Sequence, residues 1–192
     1  MIAKILVRPF GSVWNLKRLC NESSNAMIKR KLIAIYELYQ NENNSSIAWN
    51  STFKGEPCLP HGMNSIFISG GAIIGSNCVI FQQVTIGSNT IPDSKGMGAP
   101  IIGNNCYISA GAKVIGKVRI GDNVRIGANA VVYKDVPNNS VVLSGEQKTI
   151  TKDTILDNRF YCFHGKWVYF ENSNWIPVID SVILSRLCGN TS

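Results

Sequence analysis

Between Ile68 and Val136 an aliphatic residue returns at every sixth position, and no other feature constrains the fold of this chain as tightly. Ile68, Ile74, Ile80 and Ile86 set the beat, and Ile102, Ile108, Val114, Ile120, Ile126 and Val132 resume it. Four places after each lead residue stands a small or β-branched one: Ala72, Cys78, Val84, Cys106, Ala112, Val118, Val124, Ala130 and Val136. Glycine often follows the lead directly, at Gly75, Gly87, Gly103, Gly121 and Gly127. A fixed-period repeat dictates architecture ahead of any local propensity.

A period of six suits neither a helix, which wants apolar residues at i, i+3, i+4 and i+7, nor a half-buried strand, which alternates. It suits a triangular parallel coil in which six residues make one flat side and one turn. The lead aliphatic then points into the prism and the small residue fills the corner. Backbones pair coil to coil along the axis, and β-branched residues favour the flat sides. Glycine after the lead suits a turn with unusual dihedrals. A β-sandwich would place turns every 8–12 residues or so without strict phase.

The beat fails twice, and insertions at such breaks commonly carry function. Ile47, Phe53 and Leu59 form a degraded first coil, after which the phase slips across Pro60-His61-Gly62-Met63-Asn64 to Ile68. The second break is a loop over 88–101. Three segments follow: a helical N-terminal segment over 1–46, the β-helix over 47–147 and an aromatic β extension over 148–192. Ser23, Ser24 and Asn25 are candidate caps for a helix through Tyr39, with Ile28, Leu32, Ile35 or Tyr36 and Tyr39 on its packed face. In the extension, Arg159–Phe163, Lys166–Phe170 and Trp175–Val178 read as a small antiparallel meander. Such a sheet is marginal alone, so it is expected to cap the solenoid or pack on a neighbouring subunit. Trp167 and Trp175 are candidates for core packing or for stacking on a sugar ring.

The formal charge is +7 and the pI is near 9.2. The cations are scattered and accompany no zinc-finger, RNA-binding or basic-helix signature, which argues against nucleic acid. An anionic small ligand, or loose peripheral attraction to an anionic surface, accounts for the charge. Six cysteines lack any C-x-x-C pair, so neither a disulfide framework nor a zinc site is expected. A soluble protein in a reduced, cytoplasmic setting is the expectation, since the opening apolar run is too short for a signal peptide and none spans a bilayer. Two histidines make the search for a general base short: His61 at the phase slip and His164 at a predicted hairpin tip. Cys58, three residues before His61, raises a Cys–His nucleophile, but no third, orienting group accompanies it.

The runs Ile102–Gly116 and Ile126–Pro137 resemble the hexapeptide-repeat acyltransferases, and most closely their serine acetyltransferase branch. The resemblance covers roughly half the chain and implies a mainly β fold, a left-handed parallel β-helix. Leu59-Pro60-His61-Gly62 matches the place of that family's catalytic histidine, which removes a proton from the acceptor hydroxyl that attacks the acetyl thioester. Imidazole, which titrates near neutrality, suits that work. The implied co-substrate is acetyl-CoA, lying in a groove between adjacent solenoids of a homotrimer. Ala110, Gly111 and Ala128 match backbone positions of that groove, and Lys113, Arg125 and Lys134 are the cations for its phosphates. No metal is implied.

The departures concern the acceptor. The acid before the family's histidine is Pro60 here, no Asp stands near Ser46 for the upstream acidic partner, and the carboxylate-holding Arg-His pair is Gly98-Ala99. A zwitterion in a desolvated pocket wants fixed charges. The first expectation is therefore O-acetylation of a sugar hydroxyl on a polysaccharide or surface-glycan precursor, with a sugar amine also open. Serine O-acetyltransferase and a non-catalytic scaffold are the alternatives. Asn64, Gln82 and Gln83 are the candidates for orienting His61.

Overall fold

The computed structural model describes residues 2–144, 160–171 and 174–189. Three helices open the chain: α1 (Ile2–Val7), α2 (Val13–Glu22) and α3 (Ala26–Glu42), with a 3-10 turn at Arg8–Phe10. Two helices precede the one foreseen. Asn25 caps α3, its side chain accepting from Met27 N and Ile28 N. The packed face of α3 is Leu32, Tyr36 and Gln40, whereas Ile28 is exposed. Ile28 lies in the first turn, beyond the reach of the helices' own buried cluster of Val7, Leu16, Cys20, Leu32 and Tyr36.

From Ser46 the chain winds into a triangular parallel β-helix. The first face stacks β1 (Ser46–Ile47), β3 (Phe67–Ile68), β6 (Thr85–Gly87), β9 (Lys113–Ile115) and β12 (Val131–Val132). The second stacks β2 (Thr52–Phe53), β4 (Ile73–Ile74), β7 (Ile101–Ile102) and β10 (Arg119–Ile120). The third stacks β5 (Val79–Ile80), β8 (Tyr107–Ile108), β11 (Arg125–Ile126) and β13 (Val141–Val142). Pairing keeps the leads in register, Ile68 on Ile86, Ile86 on Val114 and Val114 on Val132. All ten lead residues are buried and form one core with the corner residues Ala72 to Ala130.

The glycines after the leads have a different reason from unusual dihedrals. Their φ values are ordinary, but a Cβ on Gly75 would stand 2.4 Å from the Gly103 carbonyl of the next coil. Close coil stacking, not conformation, selects glycine there. The left-handed turn position lies two residues later and is held mostly by asparagine: Asn77, Asn105, Asn123 and Asn129 have φ of 55°, 53°, 57° and 56°. Asparagine tolerates that region better than other residues with a Cβ.

The helices close the first coil, as solenoid ends require. Val13, Trp14 and Tyr39 pack against the solenoid core, and the buried Tyr36 hydroxyl donates to the Ile47 carbonyl at 2.9 Å. Lys17, 5% exposed, donates from Nζ to the carbonyls of Trp49 (2.9 Å) and Ser51. Desolvation lowers its pKa to about 8. Lys17→Met leaves the Ser51 carbonyl short of a partner and is expected to cost about 1–3 kcal/mol in denaturant unfolding. The sign with pH follows from linkage: between about 8 and the ordinary 10.5 the unfolded chain binds more protons at this site. Wild-type stability relative to Lys17→Met therefore rises across that interval.

After β13 the described chain resumes as an antiparallel sheet of β14 (Phe160–Phe163), β15 (Trp167–Glu171) and β16 (Asn174–Pro177), followed by α4 (Ser181–Cys188). The meander is present; α4 was not foreseen, and the expected boundary at 147/148 lies outside the described residues. Among the described residues the extension packs on the 88–101 loop and not on the solenoid end. Tyr161, Val178 and Leu187 enclose Met97 of the 88–101 loop, and Arg186 Nη1 donates to the Pro92 carbonyl at 3.0 Å. The ejected loop exposes apolar surface of its own, and the extension covers it. Trp167 packs on that cluster, while Trp175 is 45% exposed.

Candidate active site

The phase slip that carries His61 lies at the corner between the third and first faces, where the backbone passes from Cys58 to β3. Ile47 pairs with Ile68, so this coil carries three residues more than the coil from Ile68 to Ile86. The extra residues form a turn closed by the Gly62 N–H donating to the Leu59 carbonyl at 3.0 Å, with Gly62 at φ 70°. The imidazole is pushed outward and is exposed.

Directly along the same corner, the next coils contribute Gln82 and Gln83, then Ala110 and Gly111, then Ala128. Backbone bonds tie the column together: Gln83 N–H to the Asn64 carbonyl (3.4 Å), Gly111 N–H to the Gln82 carbonyl (3.1 Å) and Asn129 N–H to the Ala110 carbonyl (3.0 Å). Residues up to 67 positions apart in sequence thus share one edge of the prism. Gly111 is required there, at φ 72° with a would-be Cβ 2.1 Å from Asn129 Oδ1.

Of the three orienting candidates, Gln82 reaches the histidine. Its Oε1 lies 2.7 Å from His61 Nδ1. With the amide oxygen as acceptor, Nδ1 carries the proton and Nε2 keeps its lone pair. Asn64 instead donates from Nδ2 to the carbonyl of His61 at 2.7 Å and braces the turn. Gln83 supplies its carbonyl to Lys113 Nζ at 2.6 Å. No carboxylate pairs with His61 among the described residues.

Phe81 meets the His61 ring edge-on at 5.6 Å between centroids, and Tyr107 lies 5.1 Å from Phe81. This aromatic wall escaped the sequence reading. Its signal was present, because Tyr107 occupies an outward strand position one before a lead residue, and Phe81 directly follows one.

The other candidates are distributed as follows. Lys113 projects from β9 beside the column, and Arg125 is exposed on β11 next to it. Lys134 is not on this edge. It lies at the corner between the first and second faces, with Nζ 5.6 Å from the Tyr133 ring centroid. A six-residue period moves each unit to the next face, so similar units return to one edge only every third time. No hydrogen bond joins Cys58 to His61 among the described residues. His164 sits on the C-terminal sheet, 5.2 Å from the Trp175 ring and 3.6 Å from Cys162 Sγ. Among the described residues no group of three His, Cys, Asp or Glu side chains could hold a metal ion.

Residues 99–134 match the sequence profile of the bacterial transferase hexapeptide (six repeats) family. The serine acetyltransferase of Helicobacter pylori strain J99 is 43% identical over 95 residues, 50% of this chain and 54% of that protein. That of Synechococcus elongatus is 44% identical over 85 residues, 44% of this chain and 34% of that protein. Among solved structures, serine acetyltransferase isoform 3 of Entamoeba histolytica in complex with cysteine superimposes with a TM-score of 0.56 at 28% identity, over 73% of this chain and 50% of that one. The Neisseria gonorrhoeae enzyme in complex with serine gives 0.55 at 27%, over 71% and 55%. The chain spans 54% of the Helicobacter relative's length and 34% of the Synechococcus one's. Repeat register, corner geometry and these likenesses together identify the solenoid as a left-handed parallel β-helix built of hexapeptide repeats.

Proposed function

We propose that this chain transfers an acetyl group from acetyl-CoA directly to an acceptor hydroxyl, with His61 as general base. The observation that carries the proposal is the Gln82-held imidazole at the head of the corner column. His61 Nε2 takes the hydroxyl proton while the hydroxyl oxygen attacks the thioester carbonyl. The C–S bond then breaks, and the coenzyme thiolate leaves with the proton from the imidazolium. Ala110, Gly111 and Ala128 offer backbone to the pantetheine arm, and Lys113 and Arg125 offer charge to the phosphates. One solenoid supplies half of such a groove, so a homotrimer completes it.

Serine is the first acceptor to test, because the relatives aligned over the repeat are serine acetyltransferases. The sugar expectation draws no support from them. One feature of the loop also favours a carboxylate: the stem of Lys117 lies against Gly98, whose Cβ would stand 3.0 Å from it. Both stand at the corner between the first and second faces, so Lys117 meets an acceptor held at His61 only across the groove, from a neighbouring solenoid of the trimer. The sugar reading rests on Pro60 in place of the acid, on the missing Asp near Ser46 and on the absence of fixed charge at Gly98-Ala99.

The deciding experiment follows free thiol from acetyl-CoA with L-serine and with a panel of nucleotide sugars. Serine-dependent release whose KM rises about tenfold in Lys117→Ala supports the serine reading, a cation lost from a carboxylate being worth 1.5–3 kcal/mol. Release driven only by sugars assigns the acceptor to a sugar hydroxyl or amine.

A further inference from the structure

Helix α1 is amphipathic in the wrong direction for a surface helix. Ala3 and Val7, four apart, face the helical cluster and are buried. Ile2, Ile5 and Leu6, spaced i, i+3 and i+4, are 67%, 62% and 39% exposed. On a helical wheel Ile5 points directly away from the buried side, with Ile2 and Leu6 to one flank and the exposed Lys4 and Arg8 to the other. The helix is not loosely attached, since the Ala3 N–H donates to Glu42 Oε1 at 3.1 Å and holds its start on α3. A fixed helix with an outward apolar stripe and cations along one edge is the arrangement of a helix lying in a membrane interface.

We infer that α1 is a peripheral contact for an anionic lipid surface, on which Ile2 and Ile5 enter the acyl boundary while Lys4 and Arg8 meet the headgroups. Charge complementarity selects this occupant. The whole chain carries +7, and Arg30 and Lys31 of α3 add cations to the same helical segment, while Lys29 lies over the Trp49 ring. A second copy paired two-fold through this stripe alone fits worse. Three side chains fall far short of the ~800 Å² per partner of a stable interface, and self-pairing would set Lys4 and Arg8 against their own kind. No helix among the described residues is long and apolar enough to cross a membrane, so the contact is surface-bound. The inference is independent of the acetyl-transfer reading.

The test is co-sedimentation of the full chain with vesicles of phosphatidylcholine alone or mixed with phosphatidylglycerol. The full chain is expected to pellet with the anionic vesicles at low salt, to stay in solution with the neutral ones, and to be released by salt. The paired Ile2→Ser, Ile5→Ser variant is expected to lose at least about fivefold in bound fraction with its thermal midpoint unchanged. Lys4→Gln with Arg8→Gln removes the preference for anionic lipid. Failure to pellet overturns the inference, as does pelleting that the isoleucine pair leaves unchanged. A concentration-dependent rise in mass that the same pair abolishes, without vesicle binding, assigns the stripe to a second copy and overturns it equally.

Discussion

His61→Ala is expected to lower kcat for acetyl transfer by about 10²–10⁴-fold, the range that a positioned general base contributes. The loss belongs to the chemical step, because the imidazole is exposed and its removal opens no cavity. Its polar partner is the side chain of Gln82, at 2.7 Å, which water can then satisfy. Circular dichroism and sedimentation of the variant are therefore expected to match the wild type. Gln82→Ala leaves the base in place but frees the Nδ1 proton to change position, so its effect on kcat is expected to be smaller than that of His61→Ala. Full activity in His61→Ala would remove the histidine from the mechanism.

Ile108→Ala is expected to destabilise the protein by about 2–5 kcal/mol in denaturant unfolding, the range for a large-to-small change in a packed core. Ile108 is fully buried on the third face, stacked between Ile80 and Ile126. A cavity at that level removes contacts to both neighbouring coils. A solenoid's stability is nearly a sum of coil and interface terms, so losing two interfaces in mid-stack divides the structure. Ile108→Val retains most of the volume and is expected to cost only about 0.5–1.5 kcal/mol. The same coil holds Ala110 and Gly111, so the alanine variant is also expected to weaken any ligand of the corner column.

The prism was legible because its period is strict: the ten leads from Ile68 to Val132 were read from spacing, and all are buried. His61 stood out at a break in that spacing, and Gln82 was among the three side chains named beside it. What spacing alone concealed is which edge each unit occupies. Lys113 precedes its lead by one place and Lys134 follows its lead by two, so Lys134 emerges at the neighbouring corner of the prism from His61. Phe81 and Tyr107 carry no polar signal, so their wall against the imidazole appears only once the coils are stacked. The fit of the C-terminal sheet to Met97 and Pro92 had no local signature either, since it depends on where the 88–101 loop lands.

The column from His61 to Ala128 stands or falls as the proposed acyl-transfer site on one result. The most direct measurement is release of free thiol from acetyl-CoA by the wild-type chain as an acceptor is added. The expected result is release that depends on acceptor, saturates with acetyl-CoA and collapses in His61→Ala. Absence of release with L-serine and with every nucleotide sugar, together with no binding of coenzyme A, would contradict it and leave the solenoid as a scaffold.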